Sequence, residues 1–502
     1  MSIKLDQYTN TLSVVDTVNS NAALTLQPQG TGALQAQLTD STATGGNARG
    51  ANAVDWQTSR GTAAQVASGQ YAVVGGGVGN RASVYAATVS GGDTNVASGY
   101  VSATAGGAGN SSSSGYSFAG GGLSNSATGA NSVSVGGYFN TASGYNGFVG
   151  GGERNSTTSS AAVTTQSATM NGTTAVTLSG SNASIKVGQL ITGTNISGYP
   201  NQTYVAAVSG TSLTLSQIAS GSGTATLSFF TPHGVVVGGG NNQATGSYSF
   251  IGGGGDAGTA ANRNVASGDW SFVGGGTKNT ASGLASFVGG GGRDSNGNVL
   301  ANIASGILSF IGGGFNSTAS AQGSSIVGGA SHTSNATYGA ISGGVRGSTR
   351  AIDGYHAFPA CVIPIADSYV SQAGLLILGR QTTDATATVL TSNAGAASST
   401  NQVILPNNSA YYFKGTVVAG VTGGGNTKGW TVEGVIKRGA NAASTTVVGV
   451  TVASMYADAG AVTWTIGATA DTTNGGLAIT FTGQAGTTIR CVARLEMTEM
   501  TF

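Results

Sequence analysis

Residues 267–297 read SGDWSFVGGGTKNTASGLASFVGGGGRDSNG and contain one pattern twice. A turn of small residues leads to Ser-Phe-Val and then to a run of glycines, and Phe287 follows Phe272 at an interval of 15 residues. Glycine loses more conformational entropy on folding than any other residue. A chain that repeats glycine runs at a fixed interval therefore needs them for a backbone reason, and the stretch predicts a repeat architecture.

The period of 15 residues extends over much of the chain. Glycine runs and asparagines recur in step in thirteen units, and the idealised unit is S-F-V-G-G-G-x-x-N-x-A-S-G-x-x. The first six asparagines of the series are Asn80, Asn95, Asn110, Asn125, Asn140 and Asn155. A unit of this length is too short for a helical hairpin, but it accommodates two short strands and two turns. The sequence therefore predicts a β-solenoid.

The residue types of the unit suggest how one coil is built. Tight corners require positive φ, which glycine adopts freely, and stacked asparagines can hydrogen-bond from coil to coil. We expect Gly275, Gly290 and Gly313 at such corners or at close backbone contacts. A slim coil buries too little apolar surface to be stable alone, so an obligate oligomer is expected. The large side chains expected in its thin core include Phe118, Val149, Phe250, Val273, Phe287 and Phe310.

Composition and charge exclude several classes of protein. Only 7% of the 502 residues are charged and the formal net charge is +1, so neither nucleic acid nor an acidic membrane is an expected partner. The N-terminus lacks the apolar core of a secretory signal, and no apolar run is long enough to span a membrane. Cys361 and Cys491 cannot form a disulfide framework, and Cys491 is expected in the core of a strand. A protein without membrane insertion, made in a cytoplasm, is predicted.

The repeat units resemble those of a known group of adhesive proteins. Units such as NSVSVGGYFNTASGYNGFVGG (131–151) are similar to the left-handed parallel β-roll repeats in the heads of trimeric autotransporter adhesins. Such repeats also occur in bacteriophage tail fibres. The absence of the adhesins' signal peptide and C-terminal membrane barrel favours the phage group. The resemblance implies an obligate homotrimer that is assembled in the host cytoplasm and becomes part of the virion.

The period divides the chain into five predicted segments, and the predicted class is all-β. Residues 61–155 and 234–349 form a β-roll shaft, and the resemblance assigns residues 1–60, with a hairpin around Pro28-Gln29-Gly30, to attachment to tail or baseplate proteins. Residues 156–233 alternate short strands with turns and predict an inserted β domain. This insertion and two shorter ones are expected at one edge of the shaft. Residues 350–502 predict a seven-stranded β-sandwich or jelly-roll head.

No group of residues predicts catalysis or metal binding, so no catalytic residue, metal ligand or cofactor is expected. Glycoside hydrolysis needs two carboxylates about 5 to 9.5 Å apart. Residues 61–155 contain only Asp93 and Glu153, four coils and ~19 Å apart along the axis. Aspartates at unrelated phases of the repeat are Asp256, Asp269 and Asp294. Scattered histidines without metal-ligand spacing, expected at the surface or in turns, are His233, His332 and His356.

Aromatic and cationic side chains make the C-terminal segment the candidate for receptor contacts. Trp430 and Trp464 alternate with polar positions and share their strand faces with apolar neighbours, so both are expected in the core. Rings that stack on sugars and cations that pair with acidic polymers are expected on the surface, at Tyr412, Lys414, Lys437 and Arg438. The predicted function is attachment to a host glycan or protein through a trimeric head. A capsid or neck decoration fibre without a receptor role, and a depolymerase spike, remain as alternatives.

Overall fold

The computed structural model describes residues 30–157, 164–197, 203–230, 234–361 and 371–502, with the paired strands Lys4–Leu5 and Leu12–Ser13. Within these ranges the chain is all-β, as predicted. Helix is confined there to three single 3-10 turns at Ala260–Asn262, Ala442–Ser444 and Ala459–Ala461. None of the described helices is long and apolar enough to cross a membrane. Pro28, Gln29 and His233 lie outside the described residues.

Very short strands stack in parallel and form the predicted β-solenoid. The first sheet of the solenoid contains sixteen such strands, and neighbouring coils pair in register, as Phe272 does with Phe287. At the usual strand spacing this ladder is roughly 70 Å long. Its strands are Leu34–Gln35, Val54–Asp55, Val73–Val74, Thr88–Val89, Ala103–Thr104, Phe118–Ala119, Val133–Ser134, Phe148–Val149, Val235–Val236, Phe250–Ile251, Phe272–Val273, Phe287–Val288, Phe310–Ile311, Ser325–Ile326, Ala340–Ile341 and His356–Pro359.

Two further ladders complete each coil. Single-residue parallel bridges, such as Val78 with Asp93 and Phe315 with Ala330, form one of them. The other is the second sheet, whose outward residues are mostly serine and threonine. Its strands are Arg81–Ala82, Val96–Ala97, Ser111–Ser112, Ser126–Ala127, Thr141–Ala142, Gln243–Ala244, Val265–Ala266, Thr280–Ala281, Ile303–Ala304, Thr318–Ala319 and Thr333–Ser334.

The solenoid begins before the predicted shaft boundary at residue 61. Leu34 pairs with Val54 and Val54 with Val73, so these coils have 20 and 19 residues instead of the regular period. Gln57 occupies the position of the repeated asparagine there: its Oε1 accepts from the Asn80 N–H at 2.9 Å. The period does not predict these coils, because their lengths are irregular and glutamine replaces asparagine.

The asparagine ladder forms inside the coils as predicted. The Asn95 N–H donates to Asn80 Oδ1 at 2.9 Å, and Asn95 Nδ2 donates to the Gly91 and Gly107 carbonyls at 2.9 Å. His332 takes the same place in a later coil, where it is buried and its Nδ1 accepts from the Gly347 N–H at 2.9 Å. The prediction of a surface or turn position is therefore wrong for His332, because an imidazole can replace the amide of the ladder. His356, by contrast, is exposed.

The phenylalanines lie outside the coil, contrary to the prediction. Val149 and Val273 are buried in the interior, but the rings of Phe272 and Phe287 stack on the outer side with centroids 4.9 Å apart. Phe118 and Phe310 are exposed. Valine, alanine and the asparagine ladder already fill the narrow interior, so the larger ring of each Ser-Phe-Val strand is directed outward.

The glycine that each coil requires is the last of the triplet, not the middle one. Gly276 has φ +80°, and a Cβ on it would lie 2.2 Å from the Gly291 carbonyl oxygen of the next coil. A Cβ on Gly275 or Gly290 would approach no atom closer than 3.9 Å, and one on Gly313 would meet nothing within 4 Å. The prediction for these three middle glycines is therefore wrong, since the sharp corner begins one residue later.

Residues 164–197 and 203–230 fold into a small closed barrel with its own core, which includes Met170, Leu213 and Phe229. The barrel packs on a corner of the shaft, where Lys186 pairs with Asp269 at 2.5 Å. It leaves the shaft after the second sheet, whereas the insertions at 255–263 and 292–301 follow the glycine run, so the prediction of one common edge is wrong. The strands of the barrel are Thr164–Asn171, Ala175–Leu178, Leu190–Thr192, Thr203–Ser209, Ser212–Leu215 and Ser222–Phe230.

The C-terminal residues form two sheets around a common core. Trp430 and Trp464 are buried there as predicted, and burial raises the pKa of the Cys491 thiol to about 12. The large head sheet contains, in spatial order, His356–Pro359, Ser371–Thr382, Ile489–Thr501, Ser409–Val421, Thr427–Arg438 and Thr446–Ala457. The small head sheet contains Thr388–Val389, Gly476–Thr482, Val403–Ile404 and Thr465–Asp471.

The large head sheet continues the first sheet of the solenoid. His356–Pro359 pairs in parallel with the last coil at Ala340–Ile341 and antiparallel with Ser371–Thr382. The strand Ser371–Thr382 is missing from the sequence prediction, because its run of Leu-Leu-Ile-Leu does not alternate with polar residues. Shaft and head therefore share one hydrogen-bonded sheet.

Candidate interaction surface of the head

Tyr412 lies on the outward side of the large head sheet, near the beginning of the strand Ser409–Val421. Its ring is 41% exposed, and its hydroxyl donates a short hydrogen bond to Glu433 Oε1 on the neighbouring strand. This bond to the carboxylate raises the pKa of the tyrosine hydroxyl. An exposed ring with an anchored hydroxyl can stack on a sugar or on another protein surface.

Charged side chains alternate around Tyr412. Lys414 pairs in register with Glu433 on one side and with Glu496 on the other. Glu496 forms an ion pair with Arg494 on its own strand. The patch thus carries two cations and two carboxylates, and both carboxylates have partners. Such a mixed patch can bind sugar hydroxyls, or it can meet a surface on which the same charges are arranged in the opposite order.

Two shallow cavities open on either side of Tyr412. One, of about 360 Å³, is lined by Phe358, Lys414 and Arg494 among others. The second, of about 520 Å³, is lined by Glu433 together with the valines of the adjacent strands. Phe358, Glu433, Arg494 and Glu496 are absent from the candidates of the sequence. Strand alternation could have placed the glutamates beside Lys414, but no local signal brings Phe358 to Tyr412.

Lys437 and Arg438 do not join this patch. Lys437 is exposed on the same side of the sheet, but it pairs with Ala410 at the end of the strand that lies nearest the shaft. Arg438 is half-buried and faces inward, where its Nη1 donates to the Leu405 carbonyl at 2.5 Å. Of the four predicted residues, the structure brings together Tyr412 and Lys414 only. Arg438 differs from its expected surface position because its guanidinium satisfies loop carbonyls.

All four predicted residues lie toward the shaft end of the head. The strand Ser371–Thr382 pairs through its first half with His356–Pro359, which pairs with the last coil, and Tyr412 and Lys414 lie opposite that half through Thr498 and Glu496. The opposite ends of the strands lead into the connections at 383–387, 422–426, 458–464 and 484–488, which are called the tip loops. These loops are tied together: the Gly486 N–H donates to the Thr383 carbonyl at 3.0 Å, and the Thr422 N–H donates to Thr488 at 3.0 Å.

A buried ionic cluster holds the head on the last coil. Glu499 is 2% exposed, and its Oε2 accepts from Arg350 Nη2 at 2.7 Å and from Gln372 Nε2 at 2.9 Å. Gln372 also accepts from the Ser348 N–H at 3.0 Å. Burial raises the pKa of Glu499 to about 7, and the Arg350 guanidinium opposes that rise. The cluster joins residues of the last coil to the strands Ser371–Thr382 and Ile489–Thr501 of the head.

Three aspartates beside the insertions of the shaft have local partners. Asp269 pairs with Lys186, Asp256 lies 3.9 Å from Arg293, and Asp294 accepts from Asn298 within its own loop. Hydrogen bonds within these two loops lower the pKa of Asp256 and Asp294. Among the residues that the structure describes, no group of three or more histidines, cysteines or carboxylates could hold a metal ion.

Comparison with known proteins leaves the chain without an assigned relative. No protein-family model and no curated protein matches it. Among solved structures, the tailspike protein of Acinetobacter baumannii phage AM24 is similar over 92% of this chain and 69% of its own, at 9% sequence identity and a TM-score of 0.18. A TM-score of this size does not establish a shared fold. Function is therefore inferred from the geometry of this chain.

Proposed function

We propose that the chain is a structural fibre or spike of a bacteriophage virion that attaches to the host surface through its C-terminal head. The observation that carries this proposal is the single sheet that runs from the first coil into the head. A rod of roughly 70 Å whose terminal domain is hydrogen-bonded to it holds a binding surface at a fixed distance from its base. The resemblance of the repeats to phage fibres supports the same proposal.

The proposed protein is a homotrimer that binds without catalysis and needs no cofactor. Three heads held together multiply a weak contact with a host glycan or protein by avidity. The N-terminal residues are proposed to bind other virion proteins, and the low charge of the chain gives no support for a nucleic-acid partner. Support for a non-catalytic role comes from the carboxylates of the head patch, since Glu433 and Glu496 are engaged by Tyr412 and Arg494.

The host contact is proposed to lie in the tip loops of the head. They lie at the strand ends opposite those that contact the last coil, and backbone bonds such as that from Gly486 to Thr383 hold them in place. The Asp458 carboxylate likewise accepts from the Thr427 N–H at 2.7 Å. Loops that are ordered before binding lose little conformational entropy when they meet a partner.

The experiment uses the full chain and two matched variants on a panel of bacterial strains. Ala485 in a tip loop and Ala443 at the shaft end of the head are both exposed. We expect wild type and Ala443→Trp to bind susceptible cells and to compete with phage adsorption, and Ala485→Trp to lose at least tenfold in binding. Equal loss in both variants would remove the tip assignment. Absence of binding on every strain that the phage infects would favour a decoration fibre, and release of reducing sugar from capsule would favour a depolymerase.

A further inference from the structure

One side of the shaft is apolar over its length, and it continues into a head surface that combines apolar and charged side chains. This surface, called the long face, consists of the outward side of the first sheet and the outward side of the large head sheet. In the shaft its central column contains phenylalanines that stack with centroids 4.9 to 5.1 Å apart. The described strands of the first sheet direct no Asp, Glu, Lys or Arg outward between Val73 and Ala340. A solvent-exposed shaft has no physical need for such a surface.

The phenylalanine rings lie flat across their strands. A Cβ on Gly274 or Gly289 would lie 3.4 Å from the Cε1 atom of the phenylalanine two residues earlier, so each ring covers the glycine of its own strand. Because glycine has no side chain, the ring can lie flat over this position and the outer surface of the strand is flat. A level apolar surface can approach a second surface closely along many coils.

The corner beside the phenylalanine column carries large apolar side chains on residues with positive φ, a strained backbone conformation for them. Tyr116, Tyr248, Trp270 and Leu308 have φ between +53° and +57°, where glycine or asparagine is the usual residue. Trp270 and Leu308 are nevertheless more than half exposed. Tyr248 and Trp270 stack on each other with centroids 5.9 Å apart, so this corner forms an apolar edge beside the phenylalanine column.

The head continues this pattern on one of its two sheets only. The outward side of the large sheet carries Ile377, Val418 and Val492, which are 50%, 56% and 45% exposed. The outward side of the small sheet carries Thr465, Thr469 and Thr480 instead. Two sheets of one domain thus differ in what they present to the outside. The small sheet presents threonines, whereas the large sheet presents exposed aliphatic side chains together with the charged side chains around Tyr412.

The long face is continuous over many coils. The thirteen strands from Val73 to Ala340 extend it over roughly 60 Å. Successive coils of the long face are ~4.8 Å apart. A second copy of the chain has the same spacing, so its coils can pack against these coils along the whole shaft. In the head, Lys414 and Arg494 lie beside Glu433 and Glu496, so that a rotated copy offers opposite charges to both kinds.

We propose that neighbouring copies of this chain cover the long face from the shaft into the head, so that Tyr412 and Lys414 contact another copy and not the host. The inference rests on the homotrimer of the proposed function and adds the surface through which it forms. Copies packed around a closed axis bury one such face each, and the polar second sheet and the tip loops stay outside.

The first test measures the mass of the full chain by light scattering. Phe272 and Phe287 are in register on the long face, and Thr318 and Thr333 are in register on the outward side of the second sheet. We expect the wild type and the double variant Thr318→Lys/Thr333→Lys to have the mass of three chains. The double variant Phe272→Lys/Phe287→Lys is expected to lose at least tenfold in association, with the far-ultraviolet spectrum of the sheet retained. A monomeric wild type at micromolar concentration overturns the proposal.

The second test addresses the head and does not depend on the folding of a charged variant. A photoreactive benzoylphenylalanine replaces Tyr412 in one full chain and the exposed Thr469 of the small sheet in another. Irradiation is expected to link copies through position 412 and to leave the Thr469 variant unlinked. Links at neither position, in a preparation of trimeric mass, overturn the assignment of the head face. A trimer that is linked at 412 but binds no cells would refute the proposed function and leave this inference standing.

Discussion

Within one glycine triplet, adjacent residues face different physical requirements. Gly276 combines φ +80° with a carbonyl oxygen 2.2 Å from the site of its missing Cβ, so a side chain there is strained twice. A Cβ on Gly275 would lie 3.9 Å from the nearest atom, and the φ of Gly275 is outside the positive region. All thirteen units keep glycine at both positions. At Gly276 the backbone requires it, whereas at Gly275 the structure leaves room for a Cβ.

This difference predicts unequal costs for the same substitution. We expect Gly276→Ala to reduce the free energy of unfolding by about 2 to 4 kcal/mol, because a strained φ adds to a contact that the next coil must move to relieve. Gly275→Ala is expected to change it by less than about 1 kcal/mol. Denaturant unfolding of the two full-length variants measures both values. Similar losses would show that the corner has been assigned to the wrong residue.

The ionisation of Glu499 gives a second prediction at the scale of single residues. Its pKa is raised from 4.5 to about 7 in the folded chain, so the folded state binds the proton more tightly than the unfolded state does. Stability from this group is therefore complete below about pH 4.5 and is lost as the pH rises through 7, a change on the order of 3 kcal/mol. The groups around it are Arg350, Gln372 and the ring of Tyr411.

The measurement compares the wild type with Glu499→Gln between pH 4.5 and 8. The amide keeps an oxygen for Arg350 but does not titrate, so we expect its unfolding free energy to lack this part of the slope. Subtraction of the two curves also removes His332, whose pKa is lowered by burial and which contributes with the opposite sign as the pH falls below about 6.5. Parallel curves for the two proteins would contradict the assignment.

At the scale of elements, the sequence predicts the features that recur with the period. It does not predict which side chains point into the coil, because that depends on the space inside. The asparagine ladder follows from the period alone, because residues at equal phase must stack. The direction of Phe272 does not, since a strand of two residues has no alternation to show which side faces in. Ser271 and Val273 face inward because the interior has room only for small side chains. The period does not predict the role of Gln57, because the coils around it have irregular lengths.

The candidate site shows the same limit. Tyr412 and Lys414 were predicted as surface residues from strand alternation, and the strand Ser409–Val421 lies where the sequence placed it. Their relation to Phe358 depends on a sheet that joins shaft and head through Ser371–Thr382, a strand that alternation could not detect. Arg438 is not on the surface as predicted, because its guanidinium donates to two loop carbonyls. The local sequence gives no signal for contacts of that kind.

At the scale of the whole molecule, the inserted barrel is an addition to the rod and not a part of its axis. Phe148 pairs directly with Val235 across the insertion, and the Asn242 N–H donates to Asn155 Oδ1 at 3.0 Å, as in an uninterrupted ladder. The coil closes without the barrel except at one corner. That corner corresponds to Ser143–Asn146 in the preceding coil, because Thr141 pairs with Ser156 and Gly147 precedes Phe148 as Gly234 precedes Val235.

A deletion variant tests this view of the rod. Residues 158–233 are replaced by a copy of Ser143–Asn146, which restores one regular coil between Thr157 and Gly234. We expect the variant to keep the rod length seen by electron microscopy and the mass of the assembled wild type, because the ladders on both sides are already in register. The barrel's contacts with the corner, such as Lys186 with Asp269 at 2.5 Å, are lost, so a modest fall in melting temperature is expected. A rod broken or bent at this coil would show instead that the barrel holds the two halves of the solenoid in line.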